Sequence, residues 1–464
     1  MAGLGHKHIQ NVLARQVIGM NGFSKVAVSC SLSLFFCSSV NAASIDIPSS
    51  FNPVGSGARA LGLGGSFIAV ADDATAASWN PAGLIQLRKP EVALVLSQTV
   101  RGEDVTLANT GDGADTSTSN FDVNYAAASY PCAESKCGKN MVFSVNYQRL
   151  YDLSREWNIS VYDDFRNTVS QERYNQDGAL YALGLSYAVQ LTADFTIGMS
   201  ANYWGDVFGT NGSEVVTSAR ERENAPGDFF ADEDILVSSD FEGLNYNIGA
   251  LWVPYRKGAS KLTIGVVYKS EFDADYNSKL DYQVTSGNLS IPSTIATTTD
   301  ISESPSTITM PSSYGLGIAY QVSDAFTFSF DLYRTDWKAF KVKDKSTGSV
   351  ISAITNRPID ETSIENSFQV RAGAEYRIIS QKQTTNYIIP IRAGFFYDPV
   401  IGDGGNEPSY GIAIGGGVAF ERWVFDAAYQ YRWADNLGES YQQQLGLSYS
   451  LQEHQLYASA FYRF

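Results

Sequence analysis

"WVFDAAYQYRW", Trp423 to Trp433, decides the fold class of this chain. Trp423, Phe425, Ala427, Tyr429, Tyr431 and Trp433 fall on one face of an extended chain; Val424, Asp426, Ala428, Gln430 and Arg432 fall on the other. A side-chain period of two marks a strand, here with one apolar and one polar side. The period returns where Phe326, Phe328, Phe330 and Leu332 alternate with Thr327, Ser329, Asp331 and Tyr333, and again over Phe368–Arg377. A soluble sandwich would turn the aromatic face inward and wet the polar one. Aromatics at both ends of a strand, as in Trp423 and Trp433, resemble instead the interfacial girdles of a membrane barrel.

The rest of the chain follows the same pattern. With 464 residues it is long enough for one large barrel, and 27 Tyr, 25 Phe and 7 Trp coexist with modest hydropathy. No later window holds the roughly 18 uninterrupted apolar residues of a spanning helix. The chain ends on "LYASAFYRF", with Leu456, Ala458, Ala460, Tyr462 and Phe464 on one face. That ending resembles the assembly signal of bacterial outer-membrane barrels. Strands are expected from 91–101 through 454–464, about fourteen in all, because both ends of a bacterial barrel belong in the periplasm. Residues 440–450 also alternate and are assigned to the final loop to keep the number even. Short connections such as "LTAD" and "VSDA" should face the periplasm, and the longest, 208–242 and 274–311, the outside. The expected fold is all-β: a transmembrane antiparallel β-barrel, multi-pass in the bacterial outer membrane.

The N-terminus reads as an exported leader. Val26–Val40 is apolar and follows Lys25, and Val40-Asn41-Ala42 supplies the small residues of a cleavage site, placed after Ala42. Met20 is an alternative start to Met1. Cys37 lacks the small preceding residues of a lipidated cysteine. Without residues 1–42 the chain has 30 Lys+Arg against 49 Asp+Glu, a net of −19, which opposes nucleic-acid binding. Cys132 and Cys137 remain, five apart in "PCAESKCGKN", and are expected to form a disulfide across a turn. Two cysteines with no nearby His are too few ligands for zinc, so no metal site is expected.

Chemistry-bearing constellations are sparse. His454 is the one histidine left beyond the leader, and no nucleophile is positioned beside it, so no catalytic residue and no cofactor is expected. "GARALGLGGSFIAVADDATAASWNPAGL", Gly57 to Leu84, fails as a dinucleotide cradle because Phe67 stands where the third glycine belongs. It fails as a Walker loop for want of a Gly-Lys-Ser/Thr ending. Asp72 and Asp73 read either as paired carboxylates or, preferably, as one cap for a short helix from Ala74 toward Trp79. Asn80 before Pro81 is steered out of the helical region and ends that helix. Gly415–Gly417 interrupt a strand, as at a bulge or a close backbone approach.

A fourteen-stranded lumen is too wide for its own side chains to fill, so it is open or plugged. Of the 28 residues from Gly57 to Leu84, 13 are Gly or Ala, a composition suited to tight packing against a wall. Inward Arg371, Glu375, Arg377, Arg392, Asp426 and Arg432 would give its backbone polar partners or stand solvated in the lumen. The domains are then a signal peptide 1–42, a small helical N-terminal hatch 43–90 plugging the lumen, and a barrel 91–464. Phe67, Ile68, Val70, Trp79 and Leu84 would line an apolar ligand pocket.

This stretch resembles the N-terminal hatch of the FadL/TodX family of outer-membrane transporters for hydrophobic compounds, with Asn80, Pro81 and Ala82 matching its hatch motif. "MPSSYGLGIAYQVSDAFTFSFDLYRTDW" (Met310–Trp337) and "IRAGFFYDPV" (Ile391–Val400) resemble the family too. The resemblance implies passive uptake of long-chain fatty acids or aromatic hydrocarbons. They would enter at 208–242 and 274–311, reach a pocket against the hatch, and leave sideways beside a kink in the third strand. "MVFSVNYQRLY" (Met141–Tyr151), the third strand, has no Gly or Pro to signal that kink. A secretion or surface-attachment shuttle for proteins, or a structural surface barrel, is the alternative. Expected partners are hydrophobic small molecules, outer-membrane lipid and the barrel-assembly machinery through Phe464, with no nucleic acid and a monomeric state.

Overall fold

The computed structural model describes residues 47, 55–107, 113–163, 168–207, 209, 211–223, 228–382, 385–438 and 447–464. The expected leader and its cleavage site lie outside the described residues. Fourteen strands close into a barrel. Its first half is β1 (Glu91–Leu107), β2 (Gly113–Cys132), β3 (Met141–Asp152), β4 (Thr168–Thr192), β5 (Phe195–Trp204), β6 (Phe229–Lys257) and β7 (Ser260–Lys269). The second is β8 (Ser313–Gln321), β9 (Phe326–Thr335), β10 (Ser367–Lys382), β11 (Thr385–Tyr397), β12 (Tyr410–Phe420), β13 (Trp423–Leu437) and β14 (Leu447–Arg463). Each pairs antiparallel with the next, and β14 returns to β1 from Glu91↔Arg463 to Leu107↔Leu447. Closure leaves the ring no bare edge, as lipid demands.

Alternation sorts the faces as the sequence expects. Phe328, Phe330, Phe425 and Tyr429 are exposed on the outside, while Ser329, Asp331, Asp426 and Gln430 are buried within. His454 sits on the outer face, where its Nδ1 and the Tyr429 hydroxyl are 2.7 Å apart.

The long outward connections are not irregular loops. β6 has 29 residues, which at about 3.3 Å each span about 95 Å against a hydrocarbon core of about 30 Å. Its outer half pairs with Gly212–Glu223 on one side and with Phe272–Asn288 on the other. Phe272–Asn288 continues through Ile291–Met310 and Lys341–Asp344 to Val350–Ser352, and Arg155–Asp163 flanks β4. Residues 208–242 and 274–311 are therefore mostly strand. β14 likewise begins at Leu447, inside the stretch assigned to the final loop.

Several ladders break at the level where this outer tier meets the barrel. Leu153–Ser154, Ser270–Glu271, Pro311–Ser312 and a short helical turn, Trp337–Ala339, interrupt the pairing there. Pro311 has no N–H to give a ladder. An apolar cluster fills the level, with Leu153, Leu180, Trp204, Phe241, Met310, Trp337 and Phe340 buried around Ile47.

At the opposite end, Cys132 and Cys137 form a disulfide around the turn Glu134–Cys137, with 6.0 Å between Cα atoms. So short a loop constrains little chain. Reducing it is expected to leave transport within about twofold of the oxidised protein. Uptake measured in vesicles with and without reductant checks this.

Candidate functional site

The segment Gly55–Pro90 lies inside the ring. It holds α1 (Ala58–Gly62), α2 (Ala76–Trp79) and a 3-10 helix over Pro81–Gln86. α1 packs on β11 to β14, and the 3-10 helix packs across the lumen on β3 to β6. The glycines permit that contact. A Cβ on Gly62 would lie 3.1 Å from the Gly415 Cα, so the glycine run of β12 admits another backbone. Gly64, at φ +64°, would put a Cβ 2.8 Å from the Phe395 nitrogen, where no side chain fits.

Asn80 explains the Asn-Pro-Ala motif. Its backbone is extended (φ −146°), ending α2, and its Oδ1 accepts from Ala82 N at 3.2 Å to cap the 3-10 helix, with Pro81 at the first position. Its Nδ2 donates to Ile68 O at 3.1 Å and to Ala250 O on β6 at 3.2 Å. One buried carboxamide thus ends one helix, starts another and pins both to the wall. Neither aspartate caps α2, whose N-cap is Thr75 with no side-chain cap; Asp73 instead makes the turn ahead of it, accepting from Thr75 N at 2.9 Å and Thr75 Oγ1 at 2.5 Å. The helix begins at Ala76, two residues later than the sequence implies.

The inward charges do engage this segment. Arg59 pairs with Asp72 and, at 3.0 Å, with Glu375 on β10. Glu375 also holds Arg392 at 2.6 Å, which holds Asp426 at 2.5 Å. Arg371 Nη1 donates to Gly64 O at 3.2 Å. Asp331 on β9, which sequence reasoning treated only as a polar strand position, accepts from Phe67 N at 2.7 Å and Ile68 N at 2.9 Å. Arg432 lies above, paired with Asp398 at 2.7 Å, and Arg377 stands 3.7 Å from Glu375.

Asp73 gives the segment a pH dependence. Burial pushes its carboxyl up to about 7, with Asp72 adding to the shift. Unfolded, it titrates near 3.9. The folded form therefore holds the proton more tightly, and docking of this turn is expected to weaken as pH rises from about 4 to about 7, then level off. Amide exchange at Thr75, corrected for its intrinsic rate, should rise over that window and stay flat in Asp73→Asn.

The five residues expected to line a pocket are placed in two groups. Phe67, Trp79 and Leu84 are buried together with Val70 against them, the two rings edge-on at 5.7 Å. Ile68 points elsewhere and packs with Val267 and Tyr333 of the wall. A small pocket, partly open to solvent, lies beside Tyr333, and none of the five residues lines it. Leu150, Trp204, Phe272, Met310, Tyr333 and Trp337 form its apolar lining; Lys269, Asn202, Asn245, Asn247 and Gln369 form its polar edge. Sequence reasoning named none of these as lining; Leu150, Phe272, Met310 and Trp337 sit at or beside ladder breaks, where alternation loses phase. One signal existed: Met310, Pro311, Tyr333, Thr335 and Trp337 all fall within the stretch Met310–Trp337.

Comparison with known proteins agrees with this architecture. A FadL homologue of Pseudomonas aeruginosa superposes with a TM-score of 0.59 at 14% identity, covering 90% of this chain and 100% of that one. The toluene transporter TodX of P. putida gives 0.58 at 15%, covering 89% and 99%. CymD, a monoaromatic hydrocarbon channel, gives 0.52 at 16%, covering 89% and 99%. At these identities the likeness establishes the fold alone. No curated protein matches the chain by sequence. The model of the outer membrane protein transport protein family, OMPP1/FadL/TodX, matches residues 34–408. With that match over most of its length, the chain belongs to the OMPP1/FadL/TodX family of outer-membrane transport proteins.

Proposed function

We propose that this chain is a passive channel, not an enzyme, through which hydrophobic molecules such as aromatic hydrocarbons or long-chain fatty acids enter across the outer membrane. The observation that carries the reading is the pocket at the level of the apolar throat cluster, with Leu150, Trp204, Phe272, Met310, Tyr333 and Trp337 on its apolar side. An apolar solute gains by leaving water for such a site and again by leaving it for lipid, so the gradient alone drives passage. Ile68 packs on the pocket residue Tyr333, while Phe67, Val70, Trp79 and Leu84 form a separate apolar cluster of the inner segment. The division into leader 1–42, hatch 43–90 and barrel 91–464 belongs to this reading. So do a monomeric state and recognition of Phe464, exposed at the end of β14, by the assembly machinery.

For the exit, the reading favours the β2–β3 seam. Its ladder runs only from Cys132↔Met141 to Tyr125↔Gln148, and β3 bulges between Arg149 and Tyr151, beside the pocket residue Leu150. A bulge bends a strand without needing Gly or Pro. Beyond it side chains bridge the seam: Asp122 to Arg149, and Asn120 to Asp152 at 3.2 Å.

Vesicles carrying the purified protein should take up labelled toluene or laurate faster than protein-free vesicles, and Trp337→Arg should abolish the gain. Uptake equal to that of protein-free vesicles for both solutes would sink the reading.

A further inference from the structure

The two ends of the barrel carry opposite charge. Outward, residues 211–242 hold nine acidic and two basic residues and 274–311 hold four and one, a net of −10. Both arginines there are neutralised locally, Arg220 by Asp234 at 2.5 Å and Arg222 by Asp232 at 2.6 Å. The short-turn end is different. Arg88, Lys89, Lys136, Lys139, Arg256, Lys257 and Arg422 are exposed there against Glu134, Asp194, Asp324 and Glu421, a net of +3 in a chain of −16. Arg256 has Asp194 at 3.5 Å, but Lys136, Lys139 and Lys257 have no ion pair among the described residues.

Their placement matters as much as their number. Lys136 and Lys139 sit in the turn just below the exposed pair Tyr130↔Phe143. Lys257 follows exposed Trp252 and Tyr255, and Arg422 precedes exposed Trp423 and donates to Tyr462 Oη at 3.3 Å. Aromatics mark the membrane interface, so these cations stand at headgroup depth around the rim rather than free in the periplasm. Long basic side chains there place their charge among phosphates while their stems cover apolar surface.

We propose that this rim is a binding surface for anionic phospholipid headgroups of the periplasmic leaflet, such as phosphatidylglycerol and cardiolipin. Distribution over separate turns suits a ring of lipids better than one acidic protein, which would need a single compact patch.

The test uses folded full-length protein in detergent, incubated with equimolar phosphatidylethanolamine, phosphatidylglycerol and cardiolipin, with retained lipid read by native mass spectrometry. The anionic lipids should be retained several-fold over phosphatidylethanolamine, and added salt should erase the preference. Combining K136Q, K139Q, K257Q and R422Q should bring that preference close to one, while R220Q with R222Q leaves it unchanged. Heat-modifiable migration on gels reports that each variant is folded, and the salt titration of the unmodified protein needs no variant. Equal retention of all three lipids, or a preference that survives both salt and the four substitutions, overturns the proposal.

Discussion

A chain lacking Gly57–Leu84 is expected to close as a barrel and to conduct at least about ten times more current than the full chain, since fourteen strands enclose more space than their side chains fill. None of the strand pairings that close the ring includes a residue of this segment. What the wall loses is polar contact and the packing of Ile68 on Val267 and Tyr333. Glu375 gives up Arg59 but keeps Arg392, and Asp331 gives up two backbone donors. Water entering the emptied lumen can satisfy these groups, so the cost is far smaller than for charges left dry. Hydrophobic uptake should change in the opposite sense to conductance, because the pocket loses Ile68 from beneath Tyr333. Heat-modifiable migration, single-channel recording and vesicle uptake together check this. A folded barrel with unaltered conductance and uptake would remove the plug reading.

The sequence is legible where one rule acts alone. Between Phe326 and Leu332, or Trp423 and Trp433, lipid on one side and a wet lumen on the other impose a period of two. Asn80-Pro81 is equally plain, because proline constrains its neighbour whatever surrounds it. The outer tier escapes this reasoning. Ile291–Ile301 has nearly every residue exposed on both faces, so nothing forces alternation, and its Ser and Thr resemble a loop. The pocket escapes for another reason: Leu150, Trp204, Met310 and Trp337 come together only after several separate ladders break at one height. Asp331 shows the limit at a single residue. Its place in an alternating strand is readable, but not that two amides from a segment more than 260 positions away point at it.

Asp331 is also where the largest single-residue effect is expected. Its Oδ2 takes the N–H groups of Phe67 and Ile68 at 2.7 and 2.9 Å, and the residue is fully buried. Asp331→Ala leaves both donors without an acceptor. Each such loss costs about 1–3 kcal/mol, so docking of the inner segment should weaken by about 2–6 kcal/mol unless water fills the gap. Asp331→Asn keeps an oxygen in place and should lose a fraction of that. Asp72→Asn is the contrasting case. Its pairing with Arg59 is partly open to solvent, where such contacts are worth at most about 1 kcal/mol. Amide exchange at Phe67 and Ile68 should therefore accelerate in the order Ala, then Asn, then the Asp72 variant. Uptake should follow the same order, because Ile68 reaches the pocket through Tyr333 and loosens with its amide. If exchange at both amides stayed at the unmodified rate in Asp331→Ala, anchoring would rest instead on Asn80 and its bond to Ala250, and Asn80→Ala would become the decisive variant.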